Sequence, residues 1–541
     1  MISNLKNYIL EFFYRRKFIR LNKKIFNKRV SKKSNKIFLV EFNKFHNFHV
    51  IYSVFSNYYK KNYNCTVQGF FNYSLLSAPL KFNILNQLKW TIGNFINLKT
   101  FAIYRSFGVD KIFKPNVDEN ILNSAENFYN NNFFKIKKKE DVLKLKVKNI
   151  LIGDLLYDTY LKSRIIPTIN IFSEDFKKFF LDFLKLYFFW YYFFKTNNVC
   201  GVVASHGVYS YGLILRIAEN KKIPCFVLNT NYLSRFKSKN YGGSIIGDFT
   251  NYKNDFKYLK KNIQKKTFYR SKKILKQKFS GKTGVEVNME YADVSSFSKN
   301  KKKYALSKSG KFKVLISTHD FFDAVHIFGK GFFVDFYEWL IFLGKISAKT
   351  NYEWYIKNHP IYGGKFKKYQ IFTDQIVNNI IKIFPHIKLL PNNTSNKQLI
   401  YEGLGAVLTV YGSVAAEFPF FGIPVLNASK LNPHCSYSFS KTPNSRKEYE
   451  YHILNLSTLS VPTNAKKEII EYHSMRHMVE ENWLFGSYAN MLKKIGGYHN
   501  LQTFSFYKYW LNYCDKSVIE ESEKKINFFL KSGGVRLHRY Y

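Results

Sequence analysis

Three runs in the second half of the chain end in side chains able to bind ligands or move protons. KFKVLISTHDFFDAVH carries Thr318, His319, Asp320, Asp323 and His326. WYIKNHP carries Lys357, Asn358 and His359, and AVLTVYGSVAAEFPFFGIPVLN carries Gly412, Ser413 and Glu417. A glycine and a hydroxyl at the start of a helix suit a phosphate, because unpaired N–H groups and the positive end of the helix dipole point at the ligand. Glycine lets the backbone approach and the hydroxyl adds a donor. Ser413 is therefore read as a phosphate contact, with a plain N-cap as the alternative. His359 can donate to a phosphate oxygen or stand as an ordinary loop histidine. Lys357 can do the same or pair within the strand that carries it. Glu417 follows Ser413 by one helical turn and is either a ligand contact or a solvated helix acid. His319, Asp320, Asp323 and His326 have spacings that suggest a metal at first sight. The ligand set is incomplete, so they are read as a loop touching ligand phosphate or hydroxyl groups, and no metal is assigned.

Each run has the form of a strand–turn–helix unit in a parallel sheet: a β-branched and aromatic stretch, a polar or glycine-bearing turn, then a helical pattern. Ligands of such sheets collect at the carboxyl ends of the strands, which is where these residues fall. Strands are expected at Lys313–Ser317 and at 354–358, 387–390, 406–410 and 424–427, with helices near 333–348 and 412–420 between them. The first half has the same rhythm, with strands at 36–42, 65–70, 198–205 and 223–228 and a long aromatic helix at 174–196. Residues 102–108 read as a short strand or helix. KNILIGD (148–154) reads as a further strand, placing Asp154 at its carboxyl end, and NVCGVVAS leads to His206. Either group could accept a proton from a reacting hydroxyl, and His206 has the better unperturbed pKa for the task. Their plain readings are a helix cap and a turn residue.

A chain of 541 residues implies at least two cores. The expected division is a basic amphipathic segment at 1–35, an α/β domain at 36–294, a basic linker at 295–312, a second α/β domain at 313–495 and a helical tail at 496–541. Lysine and arginine number 85 against 37 acids, a formal net charge of +48. That charge reflects either an anionic partner or drift in a Lys-, Asn- and Ile-rich composition. The N-terminal segment reads either as a helix lying on anionic lipid or as a packed helix with a solvated basic face. Five dispersed cysteines and no C-x-x-C pair exclude a disulfide framework or zinc finger pattern. The most apolar run, 179–194, is interrupted by Asp182 and Lys185, so a buried helix is expected rather than a membrane span. Secretory features are lacking, and a cytoplasmic location is expected, with peripheral contact on the inner face of the membrane through the basic N-terminus.

Lys357, His359 and Pro360, followed by Gly412, Ser413, Glu417, Gly422, Pro424 and Val425, resemble the carboxyl-terminal domain of bacterial capsular polysaccharide biosynthesis proteins. The run holding His319, Asp320, Asp323, His326, Asp335, Tyr337, Glu338 and Trp339 resembles the opening of that domain in a surface-polysaccharide subgroup. The resemblance covers residues 311–435. It implies a GT-B-like α/β fold, two Rossmann-like domains facing across a cleft. It also implies glycosyl transfer without a metal or other cofactor, from a nucleotide-sugar donor to a lipid-linked or growing polysaccharide acceptor. Glu417 would then contact the donor ribose, and Asp154 or His206 would be the base. Two other readings stay open: a polyol-phosphate transferase of the teichoic-acid type, and a non-catalytic basic protein holding an anionic glycan or nucleic acid. On the leading reading no nucleic acid partner is expected.

Overall fold

The computed structural model describes residues 2–26, 34–72, 84–238, 249–286, 294–298, 303–359, 367–477 and 484–537. Pro360 and four residues of the expected linker, 299–302, lie outside them. The chain divides into two compact units. Unit 1 comprises Met1–Arg164, Asn170–Gly247 and Val479–Tyr541; unit 2 comprises Ile165–Ile169 and Asp248–Met478.

The strands of unit 1 are β1 (Ile37–Glu41), β2 (Thr66–Phe70), β3 (Val109–Phe113), β4 (Lys146–Val147), β5 (Ile150–Leu151), β6 (Val199–Ala204), β7 (Cys225–Asn229) and β8 (Tyr232–Arg235). Six of them form one sheet in the order β3-β2-β1-β6-β7-β8. All its pairings are parallel except the last, β7 with β8. Every residue of β1 is buried, as expected of a central parallel strand covered on both faces. Unit 2 holds β9 (Lys313–Ser317), β10 (Glu353–Lys357), β11 (Ile387–Leu389), β12 (Ala406–Thr409) and β13 (Val425–Asn427). These five are parallel in the order β11-β10-β9-β12-β13. Both sheets start in the middle, run outward to one edge and then restart on the other side, which is the doubly wound Rossmann order. The reversal lies between β1 and β6 in unit 1 and between β9 and β12 in unit 2.

Several expectations change. Residues 148–154 do not form a sheet strand: β4 and β5 make an isolated two-residue antiparallel hairpin. Asp154 belongs to the first turn of the helix Gly153–Arg164, away from any sheet strand's carboxyl end. Residues 102–108, expected as a short strand or helix, fall mainly in a helix, Thr100–Ser106, and the strand β3 follows it. The basic stretch expected as a linker is tied to unit 2. The Ala305 and Leu306 amides donate to Glu402 Oε2 at 2.8 and 2.7 Å, and Leu306 joins the apolar core of Leu315, Leu399, Val407 and Phe418. The helix Lys261–Phe279, expected in the first domain, packs on Ala465–His477 in unit 2.

The carboxyl-terminal helices are part of unit 1 rather than a tail. In Lys516–Ser532, Asn527 Oδ1 accepts from the Tyr58 hydroxyl at 3.1 Å and Glu523 pairs with Lys61 at 2.8 Å. The N-terminal helix Ile2–Phe26 also packs in this unit. Phe18 is fully buried and stacks on Tyr507 at 4.6 Å, Asn22 donates to Ser106 Oγ, and Glu11 meets His46 at 2.8 Å. The aromatic helix Glu174–Thr196 buries ten residues, among them Phe183, Tyr187 and Trp190. No helix among the described residues is long and apolar enough to cross a membrane.

Phe529 tests the assignment of the carboxyl-terminal helices, since it is fully buried against Phe226 and Arg235. Phe529→Ala should lower stability by about 3–5 kcal/mol in denaturant unfolding. A change below about 0.5 kcal/mol, typical of a solvated position, would contradict the packing.

Candidate functional site

At the reversal point of unit 2, the carboxyl ends of β9, β10 and β12 are stitched together by side chains that follow them. His319 is buried directly beyond β9. Its Nε2 lies 3.0 Å from Thr409 Oγ1 and accepts from the Val410 amide at 3.2 Å. A nitrogen that accepts an N–H carries no proton, so the Thr409 hydroxyl donates to it. That hydroxyl oxygen in turn accepts from the Gly412 amide at 3.1 Å. Burial, reinforced by the neighbouring charge of His359, lowers the His319 pKa to about 3, so the imidazole is neutral at physiological pH. Thr318 does the corresponding work toward β10. Its amide and hydroxyl donate to Lys357 O at 3.2 and 3.3 Å, and its hydroxyl oxygen accepts from the His359 amide at 3.0 Å. Thr318 and His319, expected in a ligand-contacting loop, are thus spent on joining strand ends.

The remaining residues of that loop diverge. Asp320 Oδ1 accepts from the Phe322 amide at 3.0 Å, Asp323 is exposed, and His326 is buried with Nε2 2.9 Å from Val334 O. The segment forms no helix, so the spacing that suggested a shared face is not realised. Among the described residues these four do not form a group able to hold a metal ion.

Gly412, Ser413 and Glu417 follow β12. A Cβ on Gly412 would lie 2.8 Å from Thr409 Oγ1, so a side chain there would displace the hydroxyl serving His319. Ser413 stands before the short helix Val414–Glu417, but its backbone is already helical (φ −59°, ψ −24°) and its side chain makes no capping bond. Ser413 is exposed, so its hydroxyl is available to a ligand, and the plain N-cap alternative does not describe it.

Glu417 is buried, and it is the middle of a chain of charges. Oε1 pairs with Lys278 at 2.9 Å, and Oε2 accepts from Asn396 Nδ2 at 3.3 Å. Asn396 Oδ1 accepts from Lys357 Nζ at 2.8 Å. On the other side Lys278 pairs with Glu286 Oε2 at 2.7 Å, and Glu286 Oε1 lies 3.2 Å from His473 Nε2. Burial depresses the Lys278 pKa, but the two carboxylates outweigh it and hold the ammonium above the usual lysine range. Burial would raise the Glu286 carboxyl, yet Lys278 and His473 hold it well below its usual range. Burial lowers Lys357 to about 8, partly opposed by Glu417. The solvated-acid alternative for Glu417 is excluded by these partners. A cavity beside this chain is lined by Tyr411, Ser413, Glu417, Lys278, Glu286 and Arg476, with His473 and His477. Lys278, Glu286, Arg476 and the two histidines carry no local motif in the sequence, because they come from two segments roughly 190 residues apart.

In unit 1, His206 follows β6 and is half-buried, with Nδ1 2.7 Å from Ser205 Oγ. The Ser205 amide donates to the buried Glu41 at the end of β1, so the reversal point of this sheet also carries a carboxylate, one not singled out from sequence. Asp154 is held elsewhere. Both its oxygens pair with Arg216, each at 2.6 Å, in a buried bidentate contact. That geometry fixes Asp154 in a structural ion pair.

No protein family model matches this chain, and no curated protein matches it. Among solved structures, UDP-GlcNAc 2-epimerase from Neisseria meningitidis bound to UDP-GlcNAc aligns with 82% of this chain and 97% of its own, at 12% identity and a TM-score of 0.19. A Medicago truncatula protein complexed with UDP-glucose aligns over 91% and 99%, at 10% identity and a TM-score of 0.23. The N-terminal domain of trehalose-6-phosphate phosphatase from Candida albicans aligns over 93% and 98%, at 10% identity and a TM-score of 0.21.

Two outcomes follow from the buried charges. Lys278→Met leaves Glu286 and Glu417 facing each other without a cation and should cost about 3–5 kcal/mol in denaturant unfolding. Lys357 has a folded pKa below its unfolded one, so between about pH 8 and roughly pH 10.5 the unfolded chain binds more protons and stability rises with pH. Relative to Lys357→Met, the native chain should gain on the order of 3 kcal/mol across that window, measured as unfolding free energy against pH. A flat difference would show that the ammonium is not buried.

Proposed function

We propose that this chain is a glycosyltransferase that takes a sugar from a nucleotide-activated donor bound at the carboxyl edge of the unit 2 sheet. The observation that carries this reading is the cavity after β12. There the uncapped hydroxyl of Ser413 and the cations Lys278 and Arg476 line one space at the sheet's reversal point. Ligands of doubly wound sheets bind at that point, and a hydroxyl beside an arginine suits the diphosphate of such a donor. The resemblance of residues 311–435 to capsular polysaccharide biosynthesis proteins supports the same reading and supplies the acceptor class, a lipid-linked or growing surface polysaccharide.

In the transfer, the acceptor oxygen attacks the anomeric carbon as the bond from that carbon to the phosphate oxygen breaks. The acceptor proton passes to a general base, and the electron pair leaves with the nucleoside diphosphate. Ser413 and Arg476 meet the charge that builds on the leaving phosphate, where electrostatic stabilisation has most effect. His359, placed by its amide contact with Thr318, is a further phosphate donor. Glu417 is held by Lys278 and Asn396, so its part is to keep the Lys278 ammonium in place, and a ribose contact would be secondary.

Thermal unfolding with CMP, UDP, GDP and CDP-glycerol tests this. One nucleotide should stabilise the protein, by about 2.7 kcal/mol at a concentration 100 times its Kd, and Ser413→Ala with His359→Ala should abolish the shift. Response to CDP-glycerol alone would favour polyol-phosphate transfer, and response to none would remove the reading.

A further inference from the structure

Glu286, His473 and His477 lie together at one wall of the cavity in unit 2. Each offers one ligand atom, and these atoms are all within 4.8 Å of one another. His473 and His477 are four residues apart on the helix Ala465–His477, one turn, and their ring centroids are 4.5 Å apart. All three residues are at least nine-tenths buried. We infer that this cluster is a binding site for a divalent transition metal, with Zn²⁺ as the ion its donor set fits.

Donor type, spacing and charge each support the assignment. Two imidazoles and one carboxylate form a borderline-soft set that zinc accepts in a four-coordinate site with one open position. Zinc–ligand bonds of 2.0–2.1 Å put neighbouring donors of a tetrahedron about 3.3–3.4 Å apart. The Glu286 Oε1 to His473 Nε2 distance of 3.2 Å is slightly shorter than that. Lys278 holds the other carboxylate oxygen at 2.7 Å, so Glu286 would bind through one oxygen in a fixed direction, the kind of outer contact that orients metal ligands. The buried Nδ1 of His473 has no hydrogen-bond partner. With Nε2–H donating to Glu286, its lone pair is stranded in the interior at a cost. Two acids, Glu286 and Glu417, balance the cations Lys278 and Arg476 around the cavity. The three residues line the same cavity as Ser413. The site does not depend on the sugar-transfer reading, and it would stand if that reading failed.

Full-length protein stripped with chelator should bind about one Zn²⁺ per chain in equilibrium dialysis with metal analysis. Cobalt(II) in its place should give the visible absorption of a four-coordinate nitrogen–oxygen site without thiolate charge-transfer bands, which separates it from the five free cysteines. His477→Ala keeps the Glu286–His473 and Glu286–Lys278 contacts and should weaken zinc binding at least about 100-fold. Glu286→Gln should do the same. Circular dichroism of each variant checks its fold. Absence of stoichiometric binding to the native chain, thiolate bands in the cobalt spectrum, or unchanged affinity in His477→Ala would each overturn the assignment.

Discussion

A largely buried ammonium between two buried carboxylates is the constraint on which unit 2 turns. Lys278, 16% exposed, bridges Glu286 and Glu417, which are 8% and 7% exposed. None of the three could stay charged in the interior without the others, because desolvation costs several kcal/mol per ion before pairing returns it. Their partners extend the constraint. Asn396 presents its amide to Glu417 and its carbonyl to Lys357, so one neutral side chain links the carboxylate after β12 to the lysine that ends β10. Segments from residues 278, 286, 357, 396, 417 and 473 are therefore fixed by one continuous polar chain. Such a chain is costly when incomplete and rigid when satisfied, which is what a wall of a ligand cavity requires.

The two units solve the same topological problem with different side chains. Each sheet reverses beside its first strand, leaving a place where adjacent strand ends diverge. In unit 1 the gap between β1 and β6 is closed by Glu41, which takes the Ser205 amide. In unit 2 the gap between β9 and β12 is closed by His319, which takes the Val410 amide and the Thr409 hydroxyl. A carboxylate serves where tyrosine and asparagine donors surround it, as Tyr52 and Asn43 do for Glu41. A neutral imidazole serves where the surroundings are aromatic: Phe336 stacks on His319 at 4.6 Å and Tyr411 lies at 4.8 Å. In both cases an acceptor is used because the strand end opposite presents a backbone N–H.

The parallel sheets were legible because each central strand is a short apolar run closed by a turn, a pattern that survives any arrangement of the helices. β1, β6, β9 and β12 all lie within a residue or so of where the sequence puts them. Weaker strands were not legible. β3 carries exposed Asp110 and Lys111 as an edge position permits, and β8 is antiparallel, outside the repeating rhythm. KNILIGD has a strand's composition but lies in a two-residue hairpin, so Asp154 was misplaced and its partner Arg216, 62 residues on, was invisible. The unit boundary was misread for a related reason. Charge and polarity at 295–312 resemble a linker, yet Glu402 caps two of its amides and Leu306 fills a core position. Local composition does not record such long-range partners.

The residues singled out at strand ends divide into two kinds, and hydrogen-bond accounting separates them. A buried polar atom must be satisfied within the fold, so burial together with complete partners marks scaffold. Thr318, His319 and Asp154 meet that test and are fixed in place. Glu417 meets it as well, though its partners are themselves charged and border the cavity. Ser413 fails it: the residue is exposed, its backbone is already helical, and its hydroxyl serves no cap. A serine that contributes neither packing nor capping, yet sits beside a glycine whose absent Cβ keeps the strand-end network intact, has no structural task left to perform. The same reasoning picks out His473, whose orphan Nδ1 is buried beside a carboxylate and a second histidine. Positions where the fold leaves a polar group unspent are where its chemistry is to be sought, and Ser413 and His473 open on one cavity in unit 2.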